Sequence, residues 1–200
     1  MAKQTIISIS REYGSGGHDI AEKIANDFGF KFYDRSMLDE IAKEKNMNVE
    51  TIAKYDEKPR NFILSRSVAG YSNSPEEVIA NMQFEFIKNK AESGESFVVV
   101  GRCAESILAN YDNLITIFIE GDKESKIKRI VAKYKVSEQE AYDNMIRHDK
   151  KRKRYHNRYS EHKWGDSRFY DICINSSKLG EAETVSILEE YIKARIEKQS

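Results

Sequence analysis

The chain has 200 residues, with 33 Lys plus Arg against 33 Asp plus Glu, so its formal net charge is zero. That length supports one well-cored domain, and the even balance excludes binding to a polyanion through overall charge. A mean hydropathy of −0.68, with no apolar run near the ~20 residues a membrane helix needs, predicts no membrane partner. Lys3 is not followed by an apolar core, which reads as no secretion signal. Cys103 and Cys173 sit in apolar surroundings that suit buried thiols in a reducing cytoplasm better than a disulfide or a metal centre.

In chain order, the first strand is predicted at Ile6-Ile7-Ser8-Ile9. It runs into Gly14-Ser15-Gly16-Gly17 and then a helix entered through His18-Asp19-Ile20-Ala21. Phe30 to Tyr33 reads as a short strand, and residues 35–73 as helical pieces with little strand. Ser74-Pro75-Glu76-Glu77 combines an N-cap serine, proline at the first helical position and a third-position glutamate, so a helix is expected from there to about Glu92, ending near Gly94. Strands follow at Phe97–Val100 and Leu114–Ile119. Asp122 is placed to cap a helix from Lys123, Ser137-Glu138-Gln139-Glu140 opens another, Ile172–Ile174 is a last strand, and a helix closes the chain from about Glu181 to Lys198. Short, β-branched, nearly continuous apolar runs alternating with helices predict an α/β fold: a parallel sheet with helices on both faces.

The glycine turn is where chemistry is expected. Glycines let backbone N–H groups turn inward on a phosphate, and the following helix adds unpaired N–H groups with a partial positive end. Arg11 precedes the glycines and is able to supply a cation. A tight turn with no ligand is the competing reading. His18 and Asp19 fall in the first helical turn, where an exposed residue and an acid facing the helix dipole are ordinary occupants.

"ISISREYGSGGHDIAEKIA", "FYDRSMLDEIA", "FVVVGRCAESIL" and "YDICINSSKLG" together, over nearly the whole chain, resemble the cytidylate-kinase-like family of P-loop nucleoside kinases. The resemblance implies a P-loop NTPase-type three-layer fold with a helical acceptor-binding region (35–93) and a basic lid (137–168) in one domain spanning 1–200. It also implies ATP and Mg2+ as cofactors, with a CMP-like nucleoside monophosphate as acceptor. Matched to the family's G-P-S-G-A-G-K-G-T, Gly17 stands at the lysine and Asp19 at the threonine, as in a divergent branch of the family. The lysine ordinarily offsets charge on the transferring group and the hydroxyl helps hold magnesium. Arg11 is the first candidate to replace the cation, and Asp19 a candidate magnesium ligand. If nothing replaces it, the chain is expected to bind nucleotide without transferring phosphate.

By the same resemblance, Arg102 at the carboxyl end of the Phe97–Val100 strand matches an arginine that contacts the acceptor phosphate; a salt bridge to a neighbouring helix is the alternative. Asp34 in "FYDRS" occupies an acceptor-side aspartate position, or caps the next helix. From Arg147 to Lys163 there are eight Lys/Arg and two acids, Asp149 and Glu161. "RHDKKRKR" is similar to the family's lid string, implying that Arg147, Arg152 and Arg154 stabilise the transferring group and that Asp149 helps bind the acceptor. Lys151 stands where an acid reads the acceptor, and flanking aspartates are replaced by Val100 and Cys103. Two other readings of the strip are a solvated helix face and, with Tyr155, Tyr159 and Trp164 interleaved, an RNA-binding surface. Zinc at His148, His156 and His162 is not expected, because partner thiolates are missing. Ser176 and Ser177 read as a turn, or as hydrogen-bonding groups near the donor base. The oligomeric state is not legible.

Overall fold

The computed structural model describes residues 4–50, 53, 56, 67–68, 71–72 and 74–199. Five strands, β1 (Ile6–Arg11), β2 (Lys31–Tyr33), β5 (Phe97–Val100), β6 (Leu114–Glu120) and β7 (Ile172–Asn175), form one sheet in the order β2-β5-β1-β6-β7, all neighbours parallel. Between β2 and β5 lie α1's successor α2 (Met37–Glu44), a hairpin of two-residue strands β3 (Ser67–Val68) and β4 (Tyr71–Ser72), and α3 (Pro75–Glu92). α1 itself spans Gly17–Phe28. The short α4 (Ala104–Ile107) follows β5, α5 (Lys123–Tyr134) and α6 (Glu138–Tyr159) lie between β6 and β7, and α7 (Ser176–Gln199) ends the chain.

Side chains of a strand alternate between its faces, and the core divides accordingly. Ile6, Phe97, Val99 and Leu114 pack on one face under α2, α3 and α4. Ile7, Ile9, Val98, Ile115 and Ile117 pack on the other under α1 and α7, through Ile20, Ile24, Leu188 and Ile192. A satellite cluster of Ile130, Ala141 and Met145 holds α5 against α6.

The cap signals work as read. Ser74 and Ser137 accept from the N–H groups of Glu77 and Glu140, and Gly94, at φ +80°, follows the end of α3. Elsewhere the structure corrects the sequence. Asp122 stands at the N-cap of α5, but its carboxylate accepts from Asn175 and Lys178. The last helix keeps its expected start: a short helical turn from Ser176 ends at Gly180, whose φ of +80° and ψ of 172° are not helical, and the closing helix follows it. Cys103 is buried, but Cys173 is exposed because β7 is a sheet edge. Of the acceptor region, most of residues 51–73 lies outside the described residues.

One polar knot sits inside this core. Ser8 and Ser10 share a face with Ile6 and are buried, and their hydroxyls donate to Oε2 of Glu105 on α4 (3.3 and 3.5 Å). Oε1 of Glu105 lies 2.6 Å from Nε2 of His156, near the end of α6. Both are nearly inaccessible to water, and buried polar groups persist only when partnered. His156→Ala is therefore expected to cost about 3–5 kcal/mol in urea unfolding, because it strands the Glu105 carboxylate. His156→Ala with Glu105→Leu should recover much of that loss, since no buried carboxylate is left.

Candidate active site

The turn between β1 and α1 is built by its glycines. Gly14 and Gly16 adopt φ of +84° and +77°, in the left-handed region. A Cβ at Gly14 would stand 2.9 Å from Ile130 Cδ1, and one at Gly16 would stand 2.8 Å from Glu181 Oε1. Inside the turn, the buried Ser15 hydroxyl donates to the Glu12 carbonyl (2.9 Å) and accepts from the Gly17 N–H (3.3 Å). Ser176 fastens the turn from outside: its buried hydroxyl lies 2.6 Å from the Ser15 carbonyl. It therefore serves the loop's shape, and Ser177 accepts from the Asp122 N–H.

The turn, with Arg11, Tyr13, His18 and Asp19, walls a cavity of about 80 Å³ closed by Arg129, Lys133 and Arg152. That is several times the ~10–15 Å³ one water needs. Cations from α5 are thus added to the glycine cradle. Arg129 donates to the Gly14 carbonyl (2.7 Å) and pairs with Glu181 (2.8 Å). Lys133 donates to both oxygens of Asp19 (2.9 Å each). Burial alone would raise the Asp19 pKa, but the Lys133 ammonium holds it low. Both Asp19 oxygens are thus engaged by Lys133, in an ion pair that is itself half-exposed. Among the described residues no group of three His, Cys, Asp or Glu side chains converges as a metal site. Magnesium commonly keeps its waters and binds through substrate phosphates.

α6 lies across this cavity and splits the basic strip by helical rotation. At 3.6 residues per turn, His148, Asp149, Arg152, Tyr155 and His156 face inward. Arg147, Lys150, Lys153, Arg154 and Arg158 are exposed on the outer side. Arg152 reaches the loop, donating to the Arg11 carbonyl (3.1 Å) and lying 5.6 Å over the Tyr13 ring. Arg147 bonds to Asn144 (2.6 Å) instead, and neither it nor Arg154 reaches the cradle. Asp149 accepts from the Tyr13 N–H (2.7 Å), which holds the helix to the loop; burial raises its pKa. The Tyr13 ring stacks between His148 (4.2 Å) and Tyr134 (6.2 Å). Burial first, then its hydrogen bond to Tyr134, pushes the Tyr13 phenol up to about 12. The three histidines of the strip part company: His148 on Tyr13, His156 on Glu105, His162 on Phe169. Tyr155, Tyr159 and Trp164 pack against Gln83, Phe84 and Phe118 and are each partly buried.

A second cavity, of about 190 Å³, adjoins the first; Arg11, His18 and Arg152 line both. Its other walls include Asp34, Arg35, Asp56, Arg102, His148 and Lys151. Arg102 is buried and forks onto Asp56 through two bonds (2.9 and 3.0 Å), while Gln83 also donates to Asp56 (3.0 Å). Sequence reasoning did not find Asp56: a lone aspartate in a stretch without periodicity carries no signal. The same holds for Lys126, which pairs with Glu12 (2.8 Å), and for Glu105; only serines at alternate positions of an otherwise apolar β1 hinted at the buried knot. Asp34 is not the helix cap, which is Ser36; it closes the turn before it and pairs with His18. One oxygen accepts from the Ser36 N–H (2.7 Å), the other lies 2.9 Å from His18 Nε2.

That His18–Asp34 bond is the main cause raising the His18 pKa and lowering that of Asp34. A raised histidine adds stability that is full below its ordinary 6.5 and lost as pH climbs through the folded value. A lowered aspartate adds stability that is present above its ordinary 3.8 and lost as pH falls through the folded value. The pair should therefore stabilise most between those two ordinary values. By NMR titration of the imidazole, the His18 midpoint is expected above 6.5, and Asp34→Asn should move it down.

The comparisons with known proteins agree with this architecture. A model of the cytidylate kinase-like family matches residues 6–178. Cytidylate kinase of Methanococcus vannielii is 28% identical over 94% of this chain and 99% of its own length. Cytidylate kinase of Pyrococcus horikoshii is 27% identical over 86% of this chain and 80% of its own. An uncharacterized protein from Eubacterium ventriosum, solved by crystallography, is 41% identical with a TM-score of 0.75, covering 95% of this chain and 99% of that one. Shikimate kinase from Bacteroides thetaiotaomicron, 15% identical with a TM-score of 0.56 over 94% and 98% of the two chains, shares the P-loop-type fold. This chain belongs to the cytidylate kinase-like family, among the enzymes of the nucleoside monophosphate kinase type.

Proposed function

We propose that the protein moves the γ-phosphoryl group of ATP to a nucleoside monophosphate, with a CMP-like acceptor, through residues 35–93 as acceptor-binding region and 137–168 as lid. One observation carries this reading: the cradle cavity and the Arg102/Asp34 cavity lie side by side and share Arg11 and Arg152 in their walls. Two ligands seated in them would meet at those guanidiniums. Phosphoryl transfer asks a protein mainly for such positioning and for cations where charge spreads. Gly14 to Gly17 would hold the donor phosphates, with Arg129 and Lys133 beside them. Lys133 is able to trade Asp19 for a phosphate oxygen, and His18 stands between the two sites. Magnesium, arriving on the nucleotide, supplies charge neutralisation of the phosphates. On the acceptor side, Arg102 is positioned by Asp56, and Asp34 and Lys151 contribute polar walls.

Coupled turnover with ATP, magnesium and a panel of acceptors starting from CMP tests the proposal. ATP-dependent product is expected; melting raised by ATP with no turnover of any acceptor would leave only nucleotide binding. Among the lid arginines, the placement on α6 separates their effects. Arg152→Ala should lower kcat by roughly two to three orders of magnitude, whereas Arg147→Ala and Arg154→Ala should stay within about threefold, as expected of exposed charges.

A further inference from the structure

The turn from β1 to α1 lacks the usual lysine, and the geometry shows what occupies the space where its side chain would start. Arg11 ends β1 between β5 and β6, on the face that α1 covers. Its stem passes directly beneath Gly17, the buried first residue of α1. A Cβ at position 17 would stand 2.6 Å from Arg11 Cβ and 3.1 Å from its Cγ. The guanidinium then runs to the end of β5, where a Cβ at Gly101 would stand 2.7 Å from Arg11 Nη1. Contacts below 3.0 Å with a side-chain stem or a fixed backbone are not absorbed without displacement. Gly17 therefore opens a slot for the Arg11 stem at the head of α1, and at its far end Gly101, held at φ +77°, faces the movable tip of the guanidinium. The slot leads from the cradle cavity to the acceptor cavity, and Arg11 lines both. Its charge is felt at His18 across the same gap, where it opposes protonation.

We propose that Arg11 is the cation on the transferring phosphoryl group, and that Gly17 is glycine in order to give its stem passage. A side chain at position 17 meets the one at position 11 already at the β-carbon, 2.6 Å away, so with Arg11 in place the cation of the turn has to come from position 11. The guanidinium is planar and forked, able to hold two oxygens of one phosphoryl group. In the transfer step, the bond from the γ-phosphorus to the β–γ bridging oxygen breaks, its electron pair leaving on ADP. A bond forms from an oxygen of the acceptor's phosphate dianion to the same phosphorus, and no proton has to leave. Arg11 keeps its proton throughout and offsets charge on the moving oxygens. This inference rests on the phosphotransfer reading above.

The test uses the full chain with magnesium and, as probes, ADP alone and ADP with aluminium fluoride, which mimics the transferring group. Affinities come from calorimetry, alongside turnover where an acceptor is found. The unmodified chain should bind ADP–aluminium fluoride more tightly than ADP. In Arg11→Ala that preference should fall by about two to three orders of magnitude, the scale of one lost transition-state cation, with ADP affinity falling by much less. Gly17→Lys alone should lose the preference too, since the two side chains collide. Arg11→Gly combined with Gly17→Lys should regain about tenfold or more over Arg11→Gly, because only a glycine at 11 removes the β-carbon that blocks a side chain at 17. The proposal is overturned if Arg11→Ala keeps the preference within about threefold, if Gly17→Lys binds like the unmodified chain, or if the unmodified chain shows no preference; each threshold is well below the effect of one charge-assisted contact. Should Gly17→Lys not fold, Arg11→Ala still decides. ATP binding without turnover of any acceptor would sink the phosphotransfer reading, yet the two ADP probes would still judge Arg11.

Discussion

A carboxylate almost closed off from water has to be surrounded by donors, and Glu105 is such a group. Ser8 and Ser10 approach it from the central strand and His156 from the far end of α6. The consequence reaches beyond the core. α6 is about 33 Å long at 1.5 Å per residue. Its start is held by the cluster with α5, and its end by Glu105. A helix fixed at both ends must pass over the carboxyl edge of the sheet between them. That is the edge where open α/β sheets bind ligands. Arg152, Asp149 and His148 are thus delivered to the glycine turn by a bond several residues away, and the walls of both cavities depend on it.

The loop itself is held mostly by interactions that leave its cradle open. Ser15 and Ser176 fix its backbone from within and behind, Asp149 takes the Tyr13 N–H, and Arg129 takes the Gly14 carbonyl. Lys126, nearly buried, is neutralised by Glu12 and lies 3.9 Å from Asp149. Charge in this part of the molecule is therefore abundant yet paired. Paired charges cost less to keep near one another than a bare cluster would, and they are able to exchange partners when an anion arrives.

Much of the scaffold was readable because it is local. The β-branched runs, the caps at Ser74 and Ser137 and the glycine turn declare themselves within a few residues, and all appear where they were expected. Reading failed where a side chain chose a distant partner. Asp122 has the position of a cap and the bonds of an ion pair with Lys178. Arg102 stands at the binding edge yet is forked onto Asp56, 46 positions away. "RHDKKRKR" reads as one motif, but a helix turns successive residues by about 100° and sends half of them outward.

The sequence by itself determined the order of elements, the parallel sheet, the phosphate-type turn and the absence of its lysine, since each is written in spacing and residue type. Only the tertiary structure decided which cation faces the turn and which arginine of the lid points inward. It also decided which aspartate holds Arg102. Those depend on contacts between residues far apart in the chain, where hydrogen-bond and steric distances, not periodicity, select the partner. The two glycines that flank Arg11 show the difference: Gly17 is conspicuous in the sequence as a missing lysine, but its reason, a neighbouring stem 2.6 Å from where a Cβ would be, exists only in three dimensions.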